Sequence, residues 1–230
     1  RAWSEDEASG AGEPGVVSGS RHCPPGHDRV LLSLRSGRTM DLSQEPGGSV
    51  VRPSWNPSGY VREAAESMRR AGWTVVRGAL GAEAARALRA ASERVMLELL
   101  RRDPEHAGNR GPRRYSLGSA SLTHHMVHLP EWAALIDNPV VTPILQAVFQ
   151  GDYLAIGGGG DLALGQTDTP QWLHVDLPRW EMYGQAWPPP GVGVNFAVHD
   201  IECGGGHMRL VPATHTQPYR LDRGAVHRET

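Results

Sequence analysis

After Gly151 the sequence breaks into short apolar runs separated by Gly and Pro, whereas the stretch before it carries its apolar residues at helical spacing. Short runs rich in β-branched and aromatic residues and bounded by breakers are strands. A helical apolar stripe has to be buried against another element. Helices first and strands afterwards therefore restrict this chain to a strand-built domain braced by helices on its outer side, a barrel-like sandwich in an α+β class that is mainly β. Helices are expected over 61–71 and 82–102, the second with Ala84, Leu88, Ala91, Val95 and Leu99 on one stripe, and a β-branched strand over 73–76 between them. Asn138 is placed to cap a helix that begins at Pro139. Strands are expected over 153–156, 162–164, 172–177, 192–198 and 208–211.

Residues 1–57 carry Gly, Ser, Pro and Glu with few core-forming side chains, and Pro24-Pro25-Gly26 and Glu45-Pro46-Gly47-Gly48 interrupt any regular element. The expectation is a low-complexity, disordered leader over 1–57 and one domain over 58–230. A hairpin around 30–40, turning at Arg35-Ser36-Gly37, is compatible with the pattern but would have no stability alone. Residues 103–121 hold Pro104, Gly108, Asn109, Gly111 and Pro112 and form a loop, a candidate active-site lid.

The formal net charge is −2 and no basic block occurs, which argues against nucleic acid or an anionic membrane as partner and for a small-molecule substrate. All 23 basic residues are Arg, so mechanisms that need a Schiff-base or phosphate-cradling lysine find none in these residues. Cys23 and Cys203 offer neither a disulfide framework nor a zinc cluster, which suits an intracellular reducing compartment. No apolar run reaches the length of a membrane span, and a soluble protein is expected. The chain opens on Arg1 rather than Met, so a signal or transit peptide ahead of it stays open, and localisation with it.

The chemistry concentrates in Trp172-Leu173-His174-Val175-Asp176-Leu177. On a strand, successive side chains alternate between faces, so His174 and Asp176 project together while Leu173, Val175 and Leu177 project oppositely. An imidazole and a carboxylate mounted this way, completed by a second His, make the facial triad that holds non-haem Fe(II) with open positions. With 11 His in 230 residues, chance alone supplies about half a His-x-Asp pair, so context must carry the assignment. That context is an apolar run, where an ionised Asp beside an imidazole is costly unless paired or metal-bound.

Gly72-Trp73-Thr74-Val75-Val76-Arg77-Gly78 before a long helix, Asp137-Asn138-Pro139 before another, His174-Val175-Asp176, and Leu210-Val211-Pro212-Ala213-Thr214-His215 occur in this order. From about Tyr60 onward the chain thereby resembles the phytanoyl-CoA dioxygenase family. The resemblance implies a double-stranded β-helix of the jelly-roll or cupin-like kind, with Fe(II) as cofactor and 2-oxoglutarate and O₂ as cosubstrates. It implies His174 and Asp176 as metal ligands and catalytic residues of a hydroxylase, Asp176 favouring hydroxylation over halogenation. Asn195 is a candidate for hydrogen bonding 2-oxoglutarate or a ligand, and structural satisfaction of its amide is the equal alternative.

The third ligand is not assigned. His199, His207, His215 and His227 follow the pair, but in the family the position of His215 closes a turn and is not a ligand. The distal His and the Arg that pairs with the far carboxylate of 2-oxoglutarate come later still. The expectation is thus a domain cut short, its barrel incomplete, before the distal ligand.

Other clusters compete. His124 and His128 stand four apart, a zinc spacing on a helix, without the Glu of a metalloprotease motif, and a structural role is expected. Gly157 to Gly160 suggest a flexible turn rather than a phosphate cradle, since no helix start follows. Trp172, Trp180 and Trp187 either line a substrate channel or pack in the core. Two further functions stay open: a non-catalytic or degenerate β-helix binding module, and a cupin metalloenzyme that does not use 2-oxoglutarate.

Overall fold

The computed structural model describes residues 15–16, 31–34, 39–41, 49–118, 125–165, 187–199, 208 and 214–216. Near the N-terminus, β2 (Leu31–Leu34) pairs antiparallel with β3 (Thr39–Asp41) in the register Leu32 to Met40, and β1 (Gly15–Val16) adds to the other edge of β2. The expected hairpin around 30–40 corresponds to β2 and β3.

Strand β4 (Ser49–Val51) lies inside the stretch expected as leader, yet Val51 is only 2 % exposed. Its partner is β5 (Thr74–Val76), parallel to it with Val51 opposite Val76. Parallel neighbours need a crossover, and helix α1 (Tyr60–Ala71) is that crossover. The pairing was invisible locally because two valines after a Gly-Gly gain a strand only from a partner met after a whole helix. Ala64 of α1 packs with Val51 and with Ile144 and Val148 of α4 (Thr142–Phe149), forming one core.

The second core is built on α2 (Ala82–Arg102), which has the expected bounds. Leu88, Ala91 and Leu99 are buried against Leu117, Met126 and Trp132, whereas Ala84 is exposed, so the working stripe starts one turn later than expected. Trp132 belongs to α3 (Pro130–Ile136) and Leu117 to β6 (Arg114–Leu117), which pairs antiparallel with β7 (Gly160–Ala163). Segment 187–199 joins the two cores: Trp187 and Val192 pack on the first and Val198 on the second.

Among the described residues the strands form one three-stranded sheet and two two-stranded sheets, and none closes into a barrel. Residues 153–156, expected as a strand, have no ladder partner among the described residues, and Leu154 and Ile156 are 88 % and 74 % exposed. Residues 192–198 likewise have no ladder partner among the described residues; Val192, Phe196 and Val198 are partly buried while Gly193, Asn195 and Ala197 are exposed, but Val194, which alternation puts with the valines on the apolar face, is 41 % exposed. The expected strand 172–177 lies outside the described residues, as does 208–211 apart from Met208.

Candidate functional site

Two of the four sequence motifs meet at the C-terminal end of α1, and a third reaches the chain just past β5. Gly72 closes that helix in the left-handed conformation, φ 81°, its N–H donating to Met68 O. Trp73 follows, buried, and its carbonyl accepts from the Ser67 hydroxyl at 2.6 Å, while the same Ser67 oxygen accepts from the Ser49 amide at 2.8 Å. One buried hydroxyl thereby ties α1 to both strands flanking it.

Asn138 brings in the second motif. Its Oδ1 accepts from the Val140 and Val141 amides at 3.0 and 3.1 Å, and its Nδ2 donates to Ala79 O at 2.9 Å. The side chain caps a turn over 138–141 rather than the helix itself. Helix α4 starts at Thr142, a few residues after the expected Pro139, with Pro143 in its first turn.

His215 brings in the third. It sits in the 3-10 turn Thr214–Thr216 and its Nε2 lies 3.0 Å from Arg69 O, a contact in which the ring nitrogen donates to the carbonyl. The imidazole is thus engaged with the backbone of α1. His174 and Asp176, the candidate ligands, lie outside the described residues, as do His207 and His227. His199 and Asn195 are exposed.

A second polar cluster escaped sequence reasoning. Asp103 directly follows α2; its Oδ1 accepts from the Ala107 amide at 3.1 Å and its Oδ2 from the Gly108 amide at 2.8 Å and the Tyr115 hydroxyl at 2.7 Å. The Gly108 amide first, then the Tyr115 hydroxyl, holds the Asp103 carboxyl below its ordinary value. Burial first, then the Asp103 carboxylate, pushes the Tyr115 phenol up to about 12. Asn109 clasps Ser116 through both its amide atoms, and Arg113 Nε donates to Gly165 O. The loop expected as a candidate lid is therefore braced over 103–118. An Asp just past a helix end with a Gly soon after was the available signal.

The glycine run 157–160 is likewise not slack. Gly158 O accepts from the Met126 amide and Gly159 O from Trp132 Nε1, both at 2.9 Å, and a Cβ on Gly159 would stand 2.0 Å from Leu117 O. Beside it His128 lies on a 3-10 turn, Met126–His128, with its Nδ1 2.8 Å from His125 O, so its spacing is not that of an α-helical zinc site. A cleft of about 320 Å³ opens between α2 and this turn, with Ala91, Leu99 and Met126 as buried floor and Arg94, Glu98 and Arg102 on the rim. The rim charges are paired, Arg94 with Glu131 at 3.0 Å and Glu98 with Arg102 at 2.8 Å and with Arg101 at 3.8 Å.

Among the described residues no group of three or more His, Cys, Asp or Glu side chains could hold a metal ion. Among them, too, no helix is long and apolar enough to cross a membrane. Comparison of the chain with protein-family models, curated proteins and solved structures returns no match.

Proposed function

We propose that this chain is an Fe(II)- and 2-oxoglutarate-dependent dioxygenase of the phytanoyl-CoA dioxygenase type, hydroxylating an unactivated C–H bond of a small organic substrate. The carrying observation is His174-Val175-Asp176 within an apolar run, an imidazole and a carboxylate spaced to share one strand face. Support comes from the other motifs of the resemblance. Asn138 and His215 each hydrogen-bond into the stretch 69–79 that contains Gly72 and Trp73. One imidazole and one carboxylate suit divalent iron, with His174 and Asp176 holding it. Iron, 2-oxoglutarate and O₂ supply the oxidising chemistry, while the protein fixes the ligands, excludes water and aims the substrate. The exposed Asn195 carboxamide is the candidate donor to a 2-oxoglutarate carboxylate.

The second reading is a non-catalytic or degenerate β-helix binding module, kept open because no second His is assigned to complete the pair His174 and Asp176. Succinate formation separates the two. The protein is incubated with Fe(II), 2-oxoglutarate and O₂, and succinate is followed by mass spectrometry in the wild type, His174→Ala and Asp176→Ala. Iron-dependent succinate that both substitutions abolish supports the oxygenase. No succinate from iron-loaded protein leaves the binding module, and O₂ consumption without 2-oxoglutarate points to a cupin oxygenase.

A further inference from the structure

We infer that His215 and Gly72 form a ring-in-socket joint that fastens the turn Thr214–Thr216 onto the C-terminal end of α1. The joint stands apart from any oxygenase chemistry.

Position 72 has two separate reasons to be glycine. Its φ of 81° is left-handed, which any side chain strains. Independently, a Cβ there would stand 2.5 Å from His215 Nδ1 and 2.9 Å from its Cγ, well inside contact distance. The ring has little room to retreat, because Nε2 is held at 3.0 Å from Arg69 O and Nδ1 is buried. The socket is therefore the missing side chain of residue 72, and the bond to Arg69 keeps the ring in it. Nearby, Gly78 has nearly the same backbone, φ 73°, with nothing within 4 Å of where its Cβ would be. The two glycines thus share the conformational demand and differ in the neighbour. The hydrogen bond spans 146 positions of sequence. Since Thr214 directly follows Pro212 and Ala213, the joint anchors one end of the last sequence motif.

Hydrogen exchange read by mass spectrometry tests the joint in the full chain. Gly72→Ala is expected to accelerate exchange of the peptide covering 214–216 at least tenfold while α2 keeps its protection, and Gly78→Ala is expected to leave 214–216 unchanged. His215→Ala should release the same peptide, His215→Gln should restore part of its protection by donating its amide to Arg69 O, and Gly72→Ala should add nothing further at 214–216 in the His215→Ala background. Equal exchange at 214–216 in Gly72→Ala and Gly78→Ala overturns the joint. Should Gly72→Ala fail to fold, His215→Ala leaves the helix end intact and reads the same release; unchanged protection there is equally fatal. Nitrogen NMR of the wild type adds a tautomer signature: a proton on Nε2 of His215 is expected, and a proton on Nδ1 alone contradicts the bond to Arg69.

Discussion

The Tyr115 hydroxyl donates to Asp103 Oδ2 across 2.7 Å, joining the end of α2 to β6 beneath a loop that Asp103 also holds through two backbone amides. A buried phenol and a carboxylate in this contact stabilise each other only while the first is protonated and the second is not.

The pH dependence follows from the two directions. The Asp103 carboxyl is held below its ordinary 3.8, so its contribution to stability is present above 3.8 and is lost as pH falls through the lowered folded value. The Tyr115 phenol is raised from 10.0 to about 12, so its contribution is complete below 10.0 and is lost as pH rises toward 12. Tyr115→Phe should lower the urea midpoint at pH 7 and abolish the alkaline loss, while the two amides keep part of the acid-side dependence. Denaturant unfolding from pH 2 to 11 reads all three effects.

Ser67→Ala should be among the costlier small substitutions in the chain. It strands the Ser49 amide and the Trp73 carbonyl with no replacement from the methyl, and leaving buried polar groups unmade costs about 2–4 kcal/mol for the pair. Chemical denaturation gives the value; a loss under about 0.5 kcal/mol, the range of a neutral surface change, contradicts the hub.

Gly159→Ala and Gly160→Ala should differ sharply although they are neighbours. The first drives a methyl into Leu117 O, 2.0 Å away, so backbone must shift at a cost of about 3 kcal/mol. The second meets only the Leu117 side chain at 3.7 Å, an ordinary contact, and should stay within about 0.5 kcal/mol of wild type. Thermal unfolding of the two variants side by side is sufficient.

Asn138→Asp keeps the acceptor for the Val140 and Val141 amides and loses the donor to Ala79 O, replacing attraction by repulsion between oxygens. A loss of about 1–2 kcal/mol is expected, rising further in Asn138→Ala, which also removes the cap. Equal stability of the Asp variant and wild type would mean that the Ala79 bond contributes nothing.

What the sequence made legible was set by the range over which each signal acts. Helix α2 was found to its ends because its stripe is repeated over many turns, whereas the hairpin of β2 and β3 was legible only as a possibility, from Arg35-Ser36-Gly37 after one apolar run. Strand β4 was missed because Val50 and Val51 acquire meaning only from Val75 and Val76 beyond α1. The start of α4 slipped because Asn138 caps a turn that merely precedes the helix. Glycines 157–160 looked flexible because composition does not reveal that Leu117 O lies against Gly159. Of the candidate site, His174 and Asp176 rest on strand spacing, an apolar context and the family resemblance, and lie outside the described residues, whereas the seats of His215 and Asp103 depend on contacts no periodicity encodes.

The segment that carries Asn195 has a thermodynamic consequence. Val192 rests on one core and Val198 on the other, and six residue steps of extended chain reach about 20 Å at most. With so short a tether, loss of either core frees one end of the segment that carries Asn195, so amide exchange across 192–198 is expected to follow the less stable of the two cores.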